Sequence, residues 1–287
     1  MKKSSIKSFC KVNLFLKVIK KMANGYHSIE SLIIFCNLYD KILISQAKSQ
    51  KDKIIFSGRF QKGINKKKNT VSKLLNLLRE KKILKGKYFK IIVQKEIPHG
   101  SGLGGGSSNA ASLLKFLNFK MKLNLNKKKL REIGGLIGFD VPVYLEKKNN
   151  LILLKKNKII KMNRKLNINL LIVYPNQICS TKKIYNKFKI KNIKRSRFLP
   201  ISTNKKKMIY SLINSNNDLQ NIVVKIYPKV KSVIKYIKSQ KGCFFARITG
   251  SGSACIGIFS SKRNAVYAKK MIKLKYPKYW SIVAKTI

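Results

Sequence analysis

Carboxylates are what this sequence has least of. Nine Asp and Glu stand against 65 Lys and Arg in 287 residues, a formal charge of +56. Only Asp40, Asp52, Asp140 and Asp218 are aspartates, so chemistry that needs one has few places to find it. Histidine is almost missing, with His27 and His99 alone. The five cysteines (Cys10, Cys36, Cys179, Cys243, Cys255) are odd in number and form no Cys-x-x-Cys pair. That argues against a zinc site and for a reducing, cytoplasmic compartment. No apolar run approaches the roughly 20 residues of a membrane span. The opening Met-Lys-Lys-Ser-Ser-Ile-Lys lacks the apolar stretch of a secretory signal. No membrane partner is expected.

What is present reads as globular. With 44% hydrophobic residues, the chain can bury one large core or two modest ones. The charge by itself suggests nucleic acid or an anionic surface. Against that, Lys, Asn and Ile crowd the whole chain, as an A+T-rich coding sequence would produce, and the lysines are dispersed without a basic tail or basic-aromatic repeat. No specific nucleic-acid partner is expected, only salt-sensitive adhesion to polyanions.

Glycine is concentrated in one place. Pro98-His99-Gly100-Ser101-Gly102-Leu103-Gly104-Gly105-Gly106-Ser107-Ser108-Asn109 follows an apolar run from Tyr88 to Val93. It leads into Ala110, Leu113, Leu114 and Leu117 at helical spacing. Strand, glycine loop and helix in that order suit phosphate binding, because the helix start offers free N–H groups and the positive end of its dipole. The loop lacks the Gly-Lys-Ser/Thr of a Walker motif.

Other stretches carry candidate residues. Val12, Leu14, Leu16 and Val18 alternate with Lys11, Asn13, Phe15 and Lys17, the pattern of a half-buried strand with Lys11 and Asn13 on its polar face. Asn24-Gly25 signals a turn, and Tyr26 and His27 after it suit either stacking and hydrogen bonding to a nucleobase or simple packing. Residues 31 to 45 read as one or two strands, and residues 48 to 53 as a solvated charge run. Asn69 opens a short amphipathic helix with Val71, Leu74, Leu75 and Leu78, where it can act as N-cap. Asp140 sits between a helix end at Gly138 and an apolar strand, and Asp218 serves as a cap at a helix start. Residues 244 to 259 read strand, glycine turn, strand.

The string Pro-x-Gly-x-Gly-Leu-Gly-Gly-Gly-Ser-Ser-Asn resembles the phosphate loop of the GHMP kinases, small-molecule kinases named for galactose, homoserine, mevalonate and phosphomevalonate. Lys11-x-Asn13-Leu-x-Leu, Gly138-x-Asp140-Val-Pro and the glycine turn at 250–252 match the family's other motifs, so the resemblance spans residues 11 to 259. It implies an α+β, two-domain fold with the active site between an N-terminal domain (1–160) and a ferredoxin-like C-terminal domain (161–287). It implies ATP and Mg²⁺ as cofactors and Lys11 and Asp140 as the catalytic pair. ATP would be held by Asn69, Lys95, Pro98, Gly100, Gly102, Leu103, Gly104, Gly105, Gly106, Ser107, Ser108 and Asn109, with Ser107 or Ser108 placing the magnesium. Gly25-Tyr26-His27 resembles the branch that acts on a cytidyl-diphosphate substrate, which implies substrate contacts at Asn13, Tyr26, His27 and Tyr185. A homoserine- or mevalonate-type kinase and a noncatalytic polyanion-binding relative are the alternatives. Two segments depart from the family pattern. Lys21-Met22-Ala23-Asn24 replaces its usual Arg and Asp, and residues 146–150 lack its glycines, so an altered surface hairpin is expected there. The sequence fixes no oligomeric state.

Overall fold

The computed structural model describes residues 3–23, 25–84, 86–146, 151–155, 158–162, 166–189, 202 and 204–287. The hairpin expected around 146–150 falls largely outside them. The chain divides into two compact units. The first holds Met1–Cys10, Leu38–His99 and Gly104–Lys147, and the second holds Lys11–Asn37, Gly100–Leu103 and Lys148–Ile287. Two long strands, β1 (Ser4–Lys21) and β2 (His27–Gln46), pair with each other and contribute a part to each unit. Residues 31 to 45 thus form a single strand. The alternation in β1 is not that of a half-exposed face. Lys11, Asn13 and Phe15 are as buried as Val12, Leu14 and Leu16, because the strand is covered on both sides.

In the first unit, the later part of β2 pairs antiparallel with β4 (Phe89–Gln94), and β4 pairs parallel with β3 (Lys53–Ser57). Helices α1 (Thr70–Glu80) and α2 (Gly105–Lys120) pack on each other, and α3 (Lys127–Ile137) and α4 (Val141–Tyr144) pack on α2. The expected periodicities supply the contacts. Val71, Leu74, Leu75 and Leu78 of α1 and Ala110, Leu113, Leu114 and Leu117 of α2 are all buried. Residues 141–144 are helical where a strand was expected. Four apolar residues show no period, and Pro142 in the first turn suits a helix start. The charge run before β3 is also not all solvated, since Asp52 pairs with Arg79 at 2.6 Å and accepts the Phe89 N–H.

In the second unit, the start of β2 pairs with β5 (Leu151–Lys155), which forms a hairpin with β6 (Lys158–Met162). A four-stranded antiparallel sheet is built from β7 (Asn169–Tyr174), β8 (Cys243–Ile248), β9 (Cys255–Phe259) and β10 (Trp280–Lys285) in the order β10-β7-β9-β8. Among the described residues, four helices lie between β7 and β8 in sequence: α5 (Thr181–Asn186), α6 (Lys205–Ile213), α7 (Gln220–Ile226) and α8 (Pro228–Lys238). Helix α9 (Lys262–Lys275) joins β9 to β10 and packs with α8 on this sheet, a βαββαβ arrangement. Asp218 does not cap α7. Its carboxylate accepts the Val18 N–H of β1 at 2.8 Å, and Asn217 takes the Leu219 N–H instead. Among the described residues no helix is long and apolar enough to cross a membrane.

Candidate active site

Helix α2 begins inside the glycine run. Gly104, at φ +70° and ψ +23°, is its N-cap, and the first intrahelical bond runs from Ser108 N–H to the Gly104 carbonyl at 2.9 Å. The N–H groups of Gly105, Gly106 and Ser107 therefore have no partner within the helix, which is the arrangement an anion uses. Thr70, first residue of α1, donates its hydroxyl to the Gly106 carbonyl at 2.7 Å, so a second helix N-terminus stands beside the first. Asn69 caps α1, accepting from Val71 and Ser72 N–H at 3.0 Å each and donating to the Asn65 and Lys66 carbonyls.

The two serines of the loop differ. Ser108 is buried, donates to the Phe9 carbonyl at 2.6 Å and accepts from Ser8. Ser107 is half-buried, with its Oγ 3.9 Å from where a Cβ on Gly138 would stand. Gly138 closes α3, and Asp140 follows it at the head of α4, half-buried and not capping that helix. Ser107 and the Asp140 segment are thus brought together within the first unit.

Lys95 and Asn109 lie beneath the loop and are 2% exposed. The Lys95 ammonium pairs with Asp40 and donates to Asn109 Oδ1 at 3.1 Å. Burial draws its pKa below the ordinary lysine value, with Asp40 pulling the other way. Sequence reasoning passed over Asp40. The only signal was a rare aspartate set among the apolar residues of β2. Pro98 is buried, and next to it His99 has a buried Nδ1 without a partner. Burial first, then the charge of Lys95, holds the His99 pKa down.

The second unit carries the remaining candidates. Lys11 is 4% exposed, donates to Asn13 Oδ1, and its backbone N–H reaches the Leu103 carbonyl at 3.1 Å. Asn13 passes the chain on, donating to Ser31 Oγ at 2.7 Å, and Ser31 donates to the Phe15 carbonyl at 2.6 Å. The turn between β8 and β9 packs against Gly100–Leu103. Ala254 N–H bonds the Ser101 carbonyl at 2.9 Å, and a Cβ on Gly102 would stand 2.1 Å from the Thr249 oxygen. Thr249, another residue the sequence did not single out, also accepts the Asn13 N–H at 2.9 Å. Gly100 sits against Ile178 and bonds Cys179 N–H.

Across the same unit, the His27 ring lies 5.1 Å from that of Tyr185, tilted by 35°. Burial, helped by the charge of Lys21, lowers the His27 pKa. A neutral imidazole offers one donor and one acceptor, the pair of functions a base edge requires. Tyr26 beside it is exposed.

Comparison with known proteins fits this geometry. The model of the GHMP kinases N terminal domain matches residues 69–146, and that of the GHMP kinases C terminal domain matches residues 201–278. A 4-diphosphocytidyl-2-C-methyl-D-erythritol kinase of Pelagibacter ubique is 39% identical over 287 residues, covering 100% of both chains. The enzyme of that name from Wolbachia pipientis is 33% identical, over 98% of this chain and 97% of its own. Among solved structures, a 4-(cytidine 5'-diphospho)-2C-methyl-D-erythritol kinase superposes with a TM-score of 0.76 at 20% identity, covering 98% of this chain and 99% of the other.

Proposed function

The chain belongs to the GHMP kinase family, and from that membership we infer that it transfers the γ-phosphoryl group of ATP to the 2-hydroxyl of 4-diphosphocytidyl-2-C-methyl-D-erythritol, a step of non-mevalonate isoprenoid synthesis. Phosphoryl transfer asks a protein for positioning and charge stabilisation more than for covalent chemistry. The free N–H groups at the head of α2 receive the triphosphate. Asp140 takes or orients the proton of the acceptor hydroxyl. Lys11 stabilises the charge that develops on the oxygen. Asn13 orients the Lys11 ammonium, to which it is bonded.

Magnesium fits the residues present. It prefers oxygen donors and keeps company with phosphates, and Ser107 offers a hydroxyl that is not spent on the protein interior as that of Ser108 is. Bound there, Mg²⁺ would neutralise charge on the triphosphate.

The observation that carries the choice of acceptor is the ring pair of His27 and Tyr185. It suits a cytosine held between stacking and hydrogen bonding, and a homoserine- or mevalonate-type acceptor has no base to place there. Purified protein with ATP–Mg²⁺ should turn over the cytidyl substrate and neither mevalonate nor homoserine. His27→Ala should weaken use of the cytidyl substrate and leave ATP binding nearly intact. Equal loss of both, by separate titrations, would refute base reading.

A further inference from the structure

We infer that Asp40, paired with Lys95, is a positioning residue for the phosphate loop: one buried carboxylate holds the chain on both sides of the glycines and so aims the N–H groups at the head of α2. The inference rests on the reading that this loop receives ATP.

Asp40 is 0% exposed on β2. Its Oδ1 accepts the backbone N–H of Glu96 and of Ile97, each at 2.8 Å. These residues lie just before Pro98. Its Oδ2 meets the Lys95 ammonium and, at 3.0 Å, the Asn109 amide on the far side of the loop. Asn109 also donates to Ser8 at 3.0 Å, Ser8 to Ser108, and Ser108 to the Phe9 carbonyl, so strand β1 is tied into the same network. Gly105 stands directly over the ammonium. An added Cβ there would lie 3.1 Å from Lys95 Nζ and 3.0 Å from Ile97 Cγ2. The lysine therefore supports the helix start from behind. A buried ion pair is a poor device for stability alone, since apolar residues of similar volume often serve as well. What apolar residues cannot supply is an acceptor for the Glu96 and Ile97 N–H groups, which would otherwise be stranded. The network fixes geometry at the two anchor points of a loop whose use depends on geometry.

The test compares Asp40→Asn, Lys95→Met and the double variant. The variant amide at position 40 sets a donor against the donors of Lys95 and Asn109. Each single variant should raise KM for ATP by at least about tenfold, less than the roughly hundredfold cost of a 1 Å misplacement. KM for the cytidyl substrate should stay within about twofold of wild type. The double variant should be no worse than the worse single, as for groups that act as one unit. Loss in Lys95→Met with normal ATP use in Asp40→Asn overturns the inference, because Lys95 would then act on the nucleotide directly. So does a parallel rise in both KM values, the mark of general damage. If Asp40→Asn does not fold by circular dichroism, Asp40→Glu, which leaves Lys95 in place and moves only the carboxylate, decides: a raised KM for ATP alone supports the brace, and a wild-type value overturns it. Calorimetric titration with ATP–Mg²⁺ reads the same effect without the acceptor, so a wrong acceptor assignment and a wrong brace give different results.

Discussion

At Gly102 the backbone has φ +81°, and a methyl group would press into the Thr249 carbonyl. A left-handed conformation costs an L-residue about 1–2 kcal/mol, and the overlap adds to it. Gly102→Ala should therefore destabilise by more than about 2 kcal/mol in urea unfolding. Gly135, inside α3 with nothing within 4 Å of its added Cβ, is the control. Gly135→Ala should stabilise by up to about 1 kcal/mol. For catalysis, Asp140→Asn keeps shape and removes charge. We expect kcat to fall at least about a hundredfold with ATP affinity little changed. Lys11→Ala should act alike, and the double variant should be hardly worse than either. Near-normal turnover in Asp140→Asn would end the assignment. His27 gives a pH signature. The unfolded chain protonates it near 6.5, and the folded chain only at lower pH. The folded state thus binds fewer protons in that window, and stability contributed by neutral His27 is lost as pH drops below 6.5. KM for the cytidyl substrate should rise over the same range, and His27→Gln should flatten that rise. At this scale the sequence was partly legible. Motif strings singled out Lys11, His27 and Asp140 as candidates, but no local pattern reveals that Asp40 meets Lys95, 55 residues further on.

Elements were legible where independent signals agreed. The strand, glycines and helix around residue 100 each had their own period or composition, and all three formed. The end of α3 at Gly138 was legible, but those of α1 and α2 were not. α1 and α2 both close with a lysine in the left-handed region, Lys82 at φ +55° and Lys122 at φ +48°. Ile83 N–H returns to Leu78 O, and Leu123 N–H to Asn118 O, the bond of a helix terminus that glycine normally serves. With lysine there, the stop signal is hidden and some strain is retained. Lys82→Gly and Lys122→Gly should each stabilise by about 1 kcal/mol in thermal or urea unfolding. A loss of stability in both would mean that lysine packing outweighs backbone strain. α4 was misread because residues 141–144 are too short to show a period.

Over the whole molecule, the few carboxylates are mostly committed inward or to a partner. Asp40, Asp52, Glu132 and Glu146 are in ion pairs, and Asp218 binds the backbone of β1. Little negative charge is left to interrupt the lysines outside. The chain should therefore repel itself at low ionic strength, and its melting temperature should rise as salt is added toward about 0.15 M, where the screening length is about 8 Å. Binding to random DNA should collapse over the same range. Tight, sequence-selective DNA binding at physiological salt would return the charge to the list of functions.

The interleaving of the two units has a practical consequence for anyone dividing the gene. A fragment that starts at residue 148 carries most of the second unit but lacks its portions of β1 and β2. It would leave β5 without Ser31, Leu32 and Ile33, the residues that cover its outer edge. Ile152, Leu153 and Leu154, buried in the whole chain, would then border an open strand, an edge that invites pairing with other copies. Such a piece should precipitate when made alone and regain solubility when produced together with residues 1–147.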